Sequence, residues 1–183
     1  GVIGDDGLAG ISLGQESSKG EAFYDFQKYC SELNKRGIIL SVCSKNDINN
    51  AKEGFSHSDS VLELSSFAAF YANWDMKSEN IINIAKEINI GTDSLVFIDD
   101  NPVERSLVSS QLPEVKVPEV GSNVSDYSKY IDREGFFETI KLSSDDSVRA
   151  SAYTENKKRI KLQSKFENFI LFCICLNTVI MSL

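Results

Sequence analysis

The chain has one histidine. His57 lies in Ser56-His57-Ser58-Asp59, a polar stretch that reads as a solvated loop, so neither a Ser-His-Asp triad nor a multi-histidine metal centre can be built here. Cysteine is scarce as well, with only Cys30, Cys43, Cys173 and Cys175. Their spacing matches no zinc pattern and no disulfide framework, which leaves reduced thiols in a cytoplasmic protein. Basic charge is in deficit: 19 Lys and Arg stand against 27 Asp and Glu, a net charge of −8. The basic residues are scattered, with no basic face for nucleic acid. No signal peptide opens the chain, and no apolar run is long enough to span a bilayer. The longest, Phe169-Ile170-Leu171-Phe172-Cys173-Ile174-Cys175-Leu176 and its continuation to Leu183, falls short of the roughly 20 residues required. That tail reads as a buried or aberrant terminus, with a membrane anchor as the alternative. The opening Gly1-Val2-Ile3-Gly4 carries no initiator methionine and reads as an internal or amino-truncated piece.

What remains is an ordinary globular composition, 42% hydrophobic and 25% charged. At 183 residues the chain is long enough for one domain with a real core. Residues 1–19 are Gly-rich and predict a hairpin or flap. Phe23, Phe26, Cys30 and Leu33 fall at helical spacing up to Gly37. Ile38 to Cys43 predicts a buried strand, and Ser44-Lys45-Asn46-Asp47 turns into a helix through Ala51. Val61-Leu62-Glu63-Leu64 predicts a short strand, and Phe67 to Trp74 an aromatic-rich connector. Ile81, Ile84, Ala85 and Ile88 line a helix that stops near Gly91. Ser94 to Ile98 is a strand, a helix starts at Pro102, and Val115-Lys116-Val117 is a further strand. This alternation predicts an α/β fold with a doubly wound parallel sheet. Beyond Gly121 the pattern shifts to a short helix over 125–131 and a charged helix from Ser144 toward Phe166. The expected organisation is a core over 1–120 and a partly helical, truncated carboxyl-terminal extension over 121–183.

Three segments carry candidate chemistry. Phe97-Ile98-Asp99-Asp100-Asn101-Pro102 ends a strand on adjacent carboxylates and starts a helix at once. Asn101 suits the cap, Pro102 the first helical position, and Glu104 has capping-box spacing. Two ionised carboxylates at a strand tip repel each other unless a cation, a proton or strong donors are near, so the pair points to metal or phosphate chemistry. Cys43-Ser44-Lys45-Asn46-Asp47 offers a hydroxyl and helix-start amides that could hold a phosphate, or a plain helix cap. Lys77 opens the helix carrying Ile81; a cation there opposes the macrodipole, which suits an anionic ligand or simply a solvated lysine. A hydroxyl, a lysine and an acid pair together suit phosphoryl chemistry. A receiver-type domain also uses acids and a lysine, but there the lysine follows the acids, whereas Lys77 precedes them.

Ser44, Lys77 and Asp99-Asp100 resemble the second, third and fourth motifs of the haloacid dehalogenase (HAD) superfamily. The wording of Val42 to Asp47, Ala72-Asn73-Trp74 and Phe97 to Pro102 is similar to its FkbH-like branch, subfamily IIIC. Gly1 to Gly7 resembles the segment just after that family's first motif, and Phe137-Glu138-Thr139 and the Tyr153-to-Arg159 stretch also look familial. The resemblance covers roughly residues 1–168 and implies a Rossmann-like parallel sheet flanked by helices, with the first strand missing.

For function, the resemblance implies that Ser44, with Lys45 and Asn46, binds phosphoryl oxygens and that Lys77 neutralises the intermediate. Asp100 would ligate Mg²⁺, with Asp99 hydrogen-bonded behind it. It further implies a phosphorylated substrate such as 1,3-bisphosphoglycerate, with glyceryl loaded onto an acyl carrier protein. Cys43 would then be a thioester carrier, or only a buried strand-end thiol. The family's nucleophilic Asp-x-Asp would precede Gly1, so the sequence as given is expected to be inactive. The alternative is a non-catalytic scaffold that binds a phospho-ligand or a carrier protein.

Overall fold

The computed structural model describes residues 13, 14, 17–138 and 155. The expected helix from Ser144, the apolar tail and most of the amino-terminal flap lie outside these residues. Helix α1, Ser18–Lys35, starts where the Ser17 side chain accepts a hydrogen bond from the Gly20 amide at 3.0 Å. Behind it Gly37 takes φ +94°, a left-handed conformation that suits glycine and turns the chain into strand β1, Leu40–Ser44. Asp47 caps α2, Ile48–Glu53, by accepting from the amides of Asn49 and Asn50.

Strand β2 is Phe67–Ala72 and pairs with β1 in parallel, from Leu40 opposite Phe67 to Ser44 opposite Ala72. Here the sequence expectation is corrected twice. Val61 to Leu64 forms no strand, residues 64–66 making a short 3-10 turn, and the supposed connector is the strand. The run Phe-Ala-Ala-Phe-Tyr-Ala lacks alternation because most of the strand is buried, and its three alanines are weak strand formers.

Helix α3, Lys77–Ile88, buries Ile81, Ile84, Ala85 and Ile88 and ends at Asn89, whose φ of 55° is left-handed. Residues 95–98 then run parallel to 115–117 through the Val96–Lys116 bridge, with Phe97 N–H donating to the Lys116 carbonyl at 2.8 Å. Between them lies α4, Pro102–Gln111, capped by Asn101 onto the Val103 amide. The last described helix is α5, Tyr127–Arg133.

The chain is thus an α/β fold with flanking helices, in which the described residues form one two-stranded parallel sheet; the strands expected at 94–98 and 115–117 meet only in the single Val96–Lys116 parallel bridge. Its core packs Ile81, Phe97, Val108, Leu112 and Val115 together, and α3 lays Ile84 and Ile88 against Ala68 and Ala69 of β2. Val120, Tyr127 and Ile131 pack against Phe26 and Tyr29 of α1. Among the described residues no ladder joins β1 to 95–98. A largely apolar cavity of about 790 Å³ is lined by both, including Leu40, Val42, Leu95 and Phe97. No described helix is long and apolar enough to cross a membrane.

Candidate active site

Parallel strands present their carboxyl ends on one side, and the loops leaving those ends collect the candidate residues. Lys77, the first residue of α3, forms an ion pair with the Asp99 carboxylate at the tip of 95–98. Both side chains are nearly sealed from solvent, at 11% and 5% exposure. The Lys77 ammonium also lies 5.8 Å from the centre of the Phe97 ring. The second Asp99 oxygen accepts from the Asn101 amide at 2.8 Å. Both of its carboxylate oxygens are therefore occupied, whereas Asp100 is exposed.

The loop before Lys77 is held by two carboxamides. Asn80, 1% exposed, donates to Asn73 at 2.7 Å, and Asn73 donates back at 3.2 Å. Asn73 also accepts from the Asp75 amide, closing the turn that carries Trp74. Trp74 is 76% exposed.

The segment after β1 reaches α4 and caps α2. The Lys45 ammonium is bound to Glu104 on α4 at 2.6 Å. Glu104, which has capping-box spacing, thus ties the loop after β1 to α4, and Asn101 alone supplies the side-chain cap. Asp47 is the cap of α2, a role its position after Ser44-Lys45-Asn46 allowed. No hydrogen bond or ion pair joins Ser44 or Asn46 to Lys77, Asp99 or Asp100 among the described residues. Cys43 lies closer: its thiol donates weakly to the Lys77 carbonyl at 3.7 Å. Burial pushes its pKa up to about 11, against the lowering effect of Lys77.

Two residues beneath the acid pair escaped the sequence reading. Arg105 on α4 is buried and donates to the carbonyl oxygens of Asp99 and Asp100, at 2.8 and 3.1 Å. Tyr127 is 4% exposed with an unpartnered hydroxyl, its pKa raised by burial and then by Asp100. An arginine on the helix directly after two acids was the available signal for the first. Tyr127 comes from 27 positions further along the chain than Asp100 and left none.

The acid pair suits a hard divalent cation such as Mg²⁺, which binds through one or two carboxylates and keeps several waters. Asp100 offers the open carboxylate and Asp99 the held one. No group of three or more His, Cys, Asp or Glu side chains arranged to hold a metal occurs among the described residues.

The site thus joins a lysine and paired acids in an α/β domain. No protein-family model and no curated protein matches the chain. Among solved structures it is similar to the N-terminal part of the protein BF1531 from Bacteroides fragilis, described as containing a phosphatase domain complexed with Mg. The two are 45% identical with a TM-score of 0.73, over 77% of this chain and 38% of that one. The chain spans well under half of that relative's length. The chain is thus related to a solved structure that contains a phosphatase domain.

Proposed function

We propose that this rim is a Mg²⁺-dependent phosphoryl-transfer site acting on a phosphorylated small molecule. The observation that carries the reading is the buried Lys77–Asp99 pair beside an exposed Asp100. Lys77 supplies a fixed positive charge for a transferring phosphoryl group, in a setting where water screens little. Asp99 keeps that ammonium aimed and is itself oriented by the Asn101 amide. Asp100 would hold the metal, which when bound neutralises phosphate charge. The Mg bound to BF1531 supports this reading.

By the resemblance, the nucleophile of such chemistry is the first aspartate of an Asp-x-Asp motif. We place the chain in the FkbH-like branch on its motif wording, with 1,3-bisphosphoglycerate as substrate class and an acyl carrier protein as acceptor. A carrier function for Cys43 requires its thiolate, which burial disfavours.

The test is phosphate release from acyl and sugar phosphates with and without Mg²⁺. It compares the 183-residue chain with the protein including its preceding coding sequence. Turnover by the longer form, abolished by Lys77→Ala and by Asp100→Ala, supports the enzyme. Tight phospho-ligand binding without turnover in both forms would instead support the scaffold reading.

A further inference from the structure

Arg105 is a costly way to fill a helix face. Its side chain is 5% exposed, yet its partner Glu119, which accepts from Nη2 at 2.7 Å, is 78% exposed. Its Nε is buried without a partner. A buried cation with an unpaired N–H destabilises a fold relative to an apolar side chain of similar size. Packing alone therefore does not account for it. What the guanidinium does is local: Nη1 donates to two consecutive carbonyl oxygens, those of Asp99 and Asp100.

Holding both carbonyls toward α4 fixes the two peptide planes. It thereby fixes the directions in which the two carboxylates leave the backbone. Asp99 is committed to Lys77 and the Asn101 amide, and Asp100 to the exposed side. Glu119 accepts from the far end of the fork, so that one guanidinium links the strand tip to residue 119. We propose that Arg105, anchored by Glu119, is the positioning residue of the acid pair, setting Asp100 in the orientation that binds a divalent cation. This rests on the reading of Asp100 given above. A lysine at 105 keeps the charge but not the planar fork that reaches two carbonyls and a carboxylate together.

The test is calorimetric titration of Mg²⁺ alone into the 183-residue chain, in native form and as Arg105→Lys, Glu119→Ala and Asp100→Asn, with circular dichroism reporting the folded fraction. Groups that orient a metal ligand typically contribute about 10- to 100-fold in affinity, so Arg105→Lys is expected to weaken binding by about tenfold or more. Glu119→Ala should weaken it by a smaller factor, and Asp100→Asn should abolish it. A folded Arg105→Lys that binds as the native chain does, beside an Asp100→Asn that does not bind, overturns the positioning role and leaves the site intact. If Arg105→Lys does not fold, unchanged affinity in Glu119→Ala overturns the role. Absent binding by the native chain, or retained binding in Asp100→Asn, removes the site and the role together.

Discussion

The Lys77 ammonium and the Asp99 carboxylate meet although 22 positions separate them in the chain. Each opens or closes an element at the same rim, and each is the other's counter-ion in a place water barely reaches. Removing one partner leaves an uncompensated buried charge, which costs about 3–5 kcal/mol. Lys77→Met is therefore expected to lower stability by that order in urea unfolding. Lys77→Met with Asp99→Leu should recover much of the loss, because an apolar pair carries no desolvation penalty. Equal instability in single and double variants would show that the pair is not coupled as described.

Asp100 should behave oppositely, since it is exposed and no ion pair or side-chain hydrogen bond of its carboxylate appears among the described residues. Asp100→Asn is expected to change stability by no more than about 0.5 kcal/mol without added metal. Mg²⁺ at a hundred times its dissociation constant should stabilise the native chain by about 2.7 kcal/mol. The Asn variant should gain nothing. A denaturation midpoint that rises equally with Mg²⁺ in both chains would take Asp100 out of the metal site.

Much of this arrangement was legible in the sequence, and the reasons are local. Asn101-Pro102 after an apolar run fixes a strand end and a helix start in consecutive residues, so the acids could be placed before any tertiary contact was known. Lys77 was placed because it opens the Ile81 helix. Phe67 to Ala72 misled, because a strand buried on both faces shows no alternation and alanine carries no strand signal. The partners were less visible still. That Lys45 pairs with Glu104, and that Arg105 reaches back to two carbonyls, depend on how α4 lies against the rim. No periodicity encodes that.

Cys43 offers a pH-dependent test. Burial raises its pKa from 9.0 to about 11. The folded chain thus keeps the thiol proton through an interval in which the unfolded chain has lost it. The resulting contribution to stability is full below the unfolded value and disappears as pH climbs through the folded one. Cys30, raised to about 12, acts in the same direction. Unfolding midpoints are expected to fall between pH 9 and 11, less steeply in Cys43→Ala. At pH 8, iodoacetamide should modify Cys43 more slowly in the folded chain than in urea. Modification as fast as that of a free thiol would restore Cys43 as a candidate nucleophile.

The carboxamide lock before Lys77 gives the last prediction. Asn80 is buried, and its side chain and that of Asn73 exchange hydrogen bonds across the turn that carries Trp74. Asn80→Ala leaves the Asn73 amide unsatisfied in a half-buried place and is expected to cost about 1–3 kcal/mol. Asn73→Ala should do comparable harm, because it also releases the Asp75 amide. Since each side chain mainly serves the other, the double variant should cost clearly less than the two singles added together, which unfolding of all three chains would measure. The functional consequence runs through geometry: the lock sits within one helical turn of Lys77, so either variant should slow phosphate release more than it weakens substrate binding. Additive stability losses, or a pure binding defect, would mean that the two asparagines hold the loop separately and that Lys77 is positioned by Asp99 alone.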